Sequence, residues 1–218
     1  KTENYVRDEL RKRGYFLDRN ITVEEQRSDN PKIQELLKVA SKRAGGVGLP
    51  EFIITSSDYP DLIIVIECKA NVAFHRSANL DKFADFACDG ALLYAAHLSK
   101  GFDVIAISVS GEKPAEIKID HFLHLKGQHR AVDFSAKKIL SFDDYHQSYI
   151  QSPEKFNQDY SSLLAYTQEL NTKLHKLKVK ESQRSLLLSG ILISLKNGAF
   201  KAGFTKHHTA KQLTQSLV

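Results

Sequence analysis

Hydrophobic positions fall into two regimes along this chain. Up to about residue 150, stretches of helical spacing alternate with short continuous apolar runs. Beyond it, only the helical spacing persists. Residues 2–14 predict a helix with Tyr5, Val6 and Leu10 on one face and Gly14 as its stop. Residues 31–43 predict a second helix, opened by Pro31 and buried through Ile33, Leu36, Leu37 and Ala40. After a loop from Ala44 to Pro50, two strands are expected, Glu51 to Thr55 and Asp61 to Lys69, joined by Ser56-Ser57-Asp58-Tyr59-Pro60. The run Leu62-Ile63-Ile64-Val65-Ile66 is apolar on both faces, which suits a central strand.

A long helix over Ala78 to Leu98, a buried strand over Asp103 to Val109 and a further strand around Glu116 to Leu125 complete the first part. This order predicts an α/β fold, a mixed sheet with helices on both sides. From Pro153 onwards, residues 155–177, 183–196 and 208–217 read as helices without strands. We therefore expect a domain over 1–150 and an all-helical segment over 151–218.

Composition narrows the function classes. Hydrophobic residues make up 42% of 218, enough for a packed core. The two cysteines, Cys68 and Cys88, sit in apolar runs and are expected to be reduced and buried, as in a cytoplasmic protein. No secretory signal is visible, and no apolar run approaches the roughly 18 residues of a membrane span. The net charge of +5 is uneven. Residues 151–218 hold ten Lys and Arg against four Asp and Glu, a balance of +6, whereas residues 1–150 stand at −1. A basic balance favours a polyanion such as DNA.

The chemistry is concentrated in Pro50-Glu51 and, after fifteen intervening residues, Glu67-Cys68-Lys69. A hairpin centred on Tyr59 sets Glu51 directly opposite Glu67, with Cβ atoms about 4.5–5.5 Å apart on one face. Two carboxylates that close repel unless a divalent cation lies between them, and hard oxygen ligands suit magnesium, or manganese in its place. Lys69, two residues beyond Glu67, points to the same face and can orient a water or stabilise charge on a phosphate. The alternative is ordinary strand-end charge, but a charge after five apolar residues of a central strand is costly without a purpose. Pro60-Asp61 is a rival first half of the motif. It fails on distance, since six strand residues span roughly 20 Å, and Asp61 is read as a turn residue.

Gly48-x-Pro50-Glu51 followed by Ile66-Glu67-Cys68-Lys69 resembles the PD-(D/E)XK superfamily of restriction endonucleases, with Glu51 in place of the usual Asp. Three stretches are similar to restriction-modification enzymes that fuse such a nuclease to an N6-adenine methyltransferase. They are Ile66-Glu67-Cys68-Lys69-Ala70, Asp89-Gly90-Ala91-Leu92-Leu93-Tyr94-Ala95 and Val104-Ile105-Ala106-Ile107-Ser108-Val109-Ser110-Gly111. The resemblance implies a restriction-endonuclease-like fold over residues 1–150. It also implies a magnesium-dependent endodeoxyribonuclease of type II or type I-like character. Glu51, Glu67 and Lys69 would be catalytic, with metal ligands in Glu51, Glu67 and the backbone carbonyl of Cys68. It also brings in Glu9 of the first helix as a further metal ligand, against the plain alternative of a solvated helix residue. Related motor-type subunits carry Gln-x-x-x-Tyr in the helix after the lysine. Here Tyr94 matches, and Gly90 stands at the Gln position.

Lys38, Lys42 and Arg43, just before the Gly-rich loop, are candidate contacts to the phosphates of double-stranded DNA. No P-loop pattern and no zinc spacing are present. No Asn-Pro-Pro-aromatic methyltransferase motif occurs, so the resemblance implies methyltransferase and specificity regions elsewhere in one longer chain. Two other readings stay open: an inactive DNA-binding or assembly module of the same fold, and a repair or junction nuclease.

Overall fold

The computed structural model describes residues 1–41, 46–206 and 209–215. The chain divides into two compact units, Lys1–Phe156 and Asn157–Val218. The first unit is built on one six-stranded sheet in sequence order, β1 (Ile21–Glu24), β2 (Phe52–Ser56), β3 (Leu62–Lys69), β4 (Asp103–Ser110), β5 (Lys118–His124) and β6 (Val132–Asp133). All neighbours are antiparallel except β3 and β4, which run parallel and are joined through helix α3. That single crossover makes the sheet mixed, as the sequence predicts, because parallel neighbours need a long connection.

Helices α1 (Thr2–Lys12), α2 (Pro31–Leu37), α3 (Ala87–Leu98) and α4 (Phe142–Ile150) flank the sheet. Alternation along β3 explains the layering, since successive side chains point to opposite faces. Leu62, Ile64, Ile66 and Cys68 pack with Val6 and Leu10 of α1 and with Phe142 and Tyr145 of α4. Ile63 and Val65 pack on the other face with Ile33 and Leu37 of α2 and with Cys88, Ala91 and Tyr94 of α3. A strand buried on both faces reads as one apolar run, and residues 62–68 are all buried.

Several elements differ from expectation. Helix α2 stops at Leu37, whose carbonyl accepts from Gly48 N at 2.7 Å, so the returning loop closes the helix end. Residues 42–45, including Lys42 and Arg43, lie outside the described residues. The expected helix from Ala78 begins only at Ala87. Asp89 in its first turn gathers the preceding loop, accepting from the backbone N of Ser77 at 3.2 Å and of Lys82 at 2.8 Å, and from the Ser77 hydroxyl. Leu80, at a φ of 56°, also breaks helical geometry there. Strands β1 and β6 and helix α4 were not expected. Both strands are short edges, four and two residues long, too brief to carry a periodic signal.

The second unit holds most of α5 (Pro153–Lys176), then α6 (Glu181–Ser194), α7 (Gly198–Thr205) and α8 (Ala210–Gln215). Arg184 ties α6 to α5, donating to the Val179 carbonyl at 3.1 Å and to Asn171 Oδ1 at 2.6 Å. No helix among the described residues is long and apolar enough to cross a membrane.

Candidate active site

Strands β2 and β3 pair with Phe52 opposite Ile66 and Ile53 opposite Val65. Carried one residue outward, that register sets Glu51 opposite Glu67, on the face that turns towards α2 and α3. Glu51 is half-buried just ahead of β2, and Glu67 is fully buried within β3. Lys69, the last residue of β3, shares their face. Its Nζ lies 3.5 Å from Glu67 Oε1 and donates to the Ala84 carbonyl at 2.7 Å. The loop that Asp89 gathers therefore holds the lysine at the carboxylate. Cys68 turns its side chain into the core on the α1 side.

Helix α3 closes the face above the carboxylates. Gly90 packs so tightly there that a Cβ on it would lie 3.1 Å from Glu67 Cγ and 3.1 Å from the Phe83 carbonyl oxygen. A glutamine at this position would compete with Glu67 for space, which gives the departure at Gly90 a physical reason. One turn on, the buried Tyr94 hydroxyl accepts from Leu49 N at 3.2 Å. Burial first, and then the charges of Glu67 and Glu51, push this hydroxyl above its ordinary range. Both carboxylates thus act on one phenol. A Cβ on Gly48 would meet Tyr94 Cε1 at 2.8 Å and the Ala40 carbonyl at 2.7 Å. The glycine lets the chain pass close under α3 on its way to Glu51.

The remaining candidates lie elsewhere. Glu9 pairs with Lys12 at 2.7 Å on α1, whose buried side packs on the sheet face opposite to Glu67. The structure does not bring Glu9 to the carboxylate pair. Asp61 sits exposed before β3, its carbonyl accepting from Asp103 N at 2.8 Å, with the length of β3 between it and Lys69. Lys38 is exposed, 3.9 Å from Glu35. With Arg27, Gln34 and Gly48 it lines a groove of about 790 Å³ beside the approach to Glu51.

The pattern of sequence alone misses how far the polar row extends. By register, Glu67 neighbours Ser108 on β4, and Ser108 neighbours Asp120 on β5. One row further, Lys69 neighbours Ser110. The serines interrupt an apolar strand at alternate positions, a signal visible in the sequence once β4 is paired in parallel with β3.

In comparison with known proteins, the chain is similar to the type II restriction enzyme and methyltransferase RM.BcgI of Heyndrickxia coagulans. They are 33% identical over 114 residues, which is 46% of this chain and 17% of that protein. The chain thus corresponds to a small part of this much longer relative. No protein-family profile matches the sequence, and no solved structure matches it.

Proposed function

We propose that this chain supplies the nuclease part of a restriction-modification enzyme and hydrolyses phosphodiester bonds of double-stranded DNA. One observation carries the reading: the β2–β3 ladder pairs Phe52 with Ile66, the residues next to Glu51 and the buried Glu67, and Lys69 lies on the face of Glu67 and 3.5 Å from it. Similarity to a restriction enzyme and methyltransferase supports the same biological setting. On this reading, methyltransferase and specificity regions belong to the same longer protein.

The donor set fits a hard divalent cation, because two carboxylates that face one another at a buried strand end favour a shared dication over mutual repulsion. Glu51, Glu67 and the Cys68 carbonyl would hold magnesium, and manganese would substitute. When bound, such an ion polarises a phosphoryl oxygen and makes a water more acidic. Lys69 has three N–H groups. One is held by Ala84, one is directed at Glu67, and the third can donate to a phosphate oxygen, where negative charge develops. Gly90 and Tyr94 close the α3 side and keep bulk water from the carboxylates, which strengthens these interactions. Lys38 and Arg27 line the groove by which a duplex backbone can approach Glu51.

A plasmid-nicking assay tests the reading. Cleavage is expected with magnesium or manganese and is expected to vanish in EDTA. Undiminished cleavage in EDTA overturns the metal mechanism. Binding without cleavage, in a protein of full length, favours the inactive DNA-binding module instead.

A further inference from the structure

Next to the carboxylate pair, on the same face of the sheet, lies a second group of ligand-bearing side chains. His75 follows the short 3-10 turn Val72–Phe74, Cys88 is the second residue of α3, and Asp120 lies on β5. Their ligand atoms all lie within 4.8 Å of one another. Asp120 Oδ2 is 3.5 Å from Cys88 Sγ and 3.4 Å from His75 Nε2. Ligands at ordinary zinc distances in a tetrahedron stand roughly 3.3–3.7 Å apart. Both separations to Asp120 therefore match those of atoms sharing one ion.

We propose that His75 Nε2, Cys88 Sγ and an Asp120 carboxylate oxygen bind a zinc-class transition metal, distinct from the magnesium site at Glu51 and Glu67. The donor set decides the class. Nitrogen and sulfur together with one oxygen suit zinc, whereas magnesium takes oxygen ligands.

The surroundings are built for it. Ser110 Oγ lies 2.7 Å from His75 Nδ1. With Nδ1–H donating to that hydroxyl, the Nε2 lone pair is directed at Asp120, the arrangement usual in metal-bound histidines. Cys88 N donates to the His75 carbonyl at 2.8 Å, which fixes the two ligand segments against each other. His75 and Cys88 are buried, while the Asp120 side chain is 40% exposed and offers an entry path and an open fourth position. The Cys88 thiol also lies 3.1 Å from Ser108 Oγ, and the Arg76 guanidinium stands 3.7 Å from Asp120. On binding, the Cys88 thiol releases its proton to solvent and the thiolate ligates, so the ion meets two negative charges.

The site has a structural consequence. It staples the segment between His75 and Cys88 to β5, and that segment carries the Ala84 carbonyl that holds Lys69. Asp120 lies two strands from Glu67, about 10 Å at the usual strand spacing. The inference does not rest on the nuclease reading, and binding is measured without DNA or cleavage.

The test is titration of the tag-free, chelator-treated full chain with Co2+. One equivalent is expected to bind with a near-ultraviolet thiolate-to-cobalt band, displaced by Zn2+ but not by excess Mg2+. Cys88→Ser is expected to lose the band and Cys68→Ser to keep it. Ser110→Ala is expected to weaken binding roughly 10–100-fold, and Asp120→Ala, at a partly exposed side chain, by at least as much with unchanged circular dichroism. Should Cys88→Ser fail to fold, Asp120→Ala and Ser110→Ala decide. Absence of one-equivalent binding, displacement by Mg2+, or undiminished Co2+ affinity in folded Asp120→Ala overturns the proposal.

Discussion

At the scale of single residues, the proposed chemistry divides cleanly between neighbours on one strand. Lys69→Ala removes an ammonium at the end of β3 that is only half-buried, so no core cavity opens. Cleavage is expected to fall by at least roughly 100-fold, the usual loss when one donor to a developing charge is removed, while DNA affinity changes little. Glu67→Ala is expected to be equally inactive and also to lose magnesium affinity. Asp61→Ala, an exposed turn residue, is expected to cleave normally. Nicking assays with circular dichroism on the three variants check this. A folded but inactive Asp61→Ala would move the site to the rival motif.

His121 gives a residue-scale prediction that has nothing to do with catalysis. It is 3% exposed on β5, with Nε2 2.7 Å from the Tyr145 hydroxyl. Burial lowers its pKa from 6.5 to about 4. The folded protein therefore binds the proton less readily than the unfolded chain. The neutral ring's contribution is whole above pH 6.5 and is lost as pH falls from there towards 4, on the order of 3 kcal/mol at most. Denaturant unfolding at pH 7, 5.5 and 4.5 should show stability falling with acid. A folded His121→Gln variant should show a shallower fall, with part of the remainder from His75, His97 and His146, whose pKa values burial also lowers, and part from Glu25, whose carboxyl the Arg7 hydrogen bond lowers. An equal slope in both proteins would remove His121 as a cause.

At the scale of elements, two glycines in helices predict opposite outcomes for the same substitution. Alanine favours a helix interior over glycine by roughly 0.8–1 kcal/mol. In α6 nothing lies within 4 Å of a Cβ built on Gly190, so Gly190→Ala should stabilise by up to about that amount. In α3 the Gly90 Cβ would press on Glu67 Cγ and on the Phe83 backbone. Overpacking of that kind costs typically 1–3 kcal/mol and outweighs the propensity gain. Gly90→Ala should lower the melting temperature and also reduce cleavage, because the atom that must give way is in Glu67. Melting curves of both variants check the sign.

The contrast at Gly90 also marks what was legible in the sequence. The hairpin about Tyr59 was, because two apolar runs flank a five-residue turn, and the symmetry about Tyr59 fixes the pairing of Phe52 with Ile66. The apolar run 62–66 gave the central strand for the same reason. The late start of α3 was not legible. Residues 78–86 have no periodic fault, and it is the spatial reach of the Asp89 carboxylate to Ser77 and Lys82, together with the positive φ of Leu80, that keeps them out of the helix. Glu9 shows the converse limit. Its helix was predicted correctly, but the sheet face on which a helix packs is set by connections and not by its own sequence.

At the scale of the whole molecule, charge and chemistry belong to different parts of the chain. Residues 1–150, with the carboxylate pair, carry −1, and residues 151–218 carry +6. Phosphate contacts supply most non-specific affinity for a duplex. The basic helical unit should therefore hold DNA while the sheet unit cuts it, and the two functions should be separable by mutation. Lys173, Lys176, Lys178 and Lys180 are all exposed, so replacing them by glutamine leaves every core residue in place. It should lower the slope of log affinity against log salt by about 0.9 for each lysine that had neutralised a phosphate. Lys173 already pairs with Glu169 at 2.6 Å, so its share should be the smallest. Glu67→Ala should leave that slope unchanged, since removing a carboxylate in the sheet takes away no phosphate contact. Fluorescence anisotropy with a short duplex between about 50 and 200 mM salt, in EDTA to prevent cleavage, measures both. An unaltered slope in the four-lysine variant would place the electrostatic footprint elsewhere. The groove lined by Arg27 and Lys38 beside Glu51 would then be the surface that carries it.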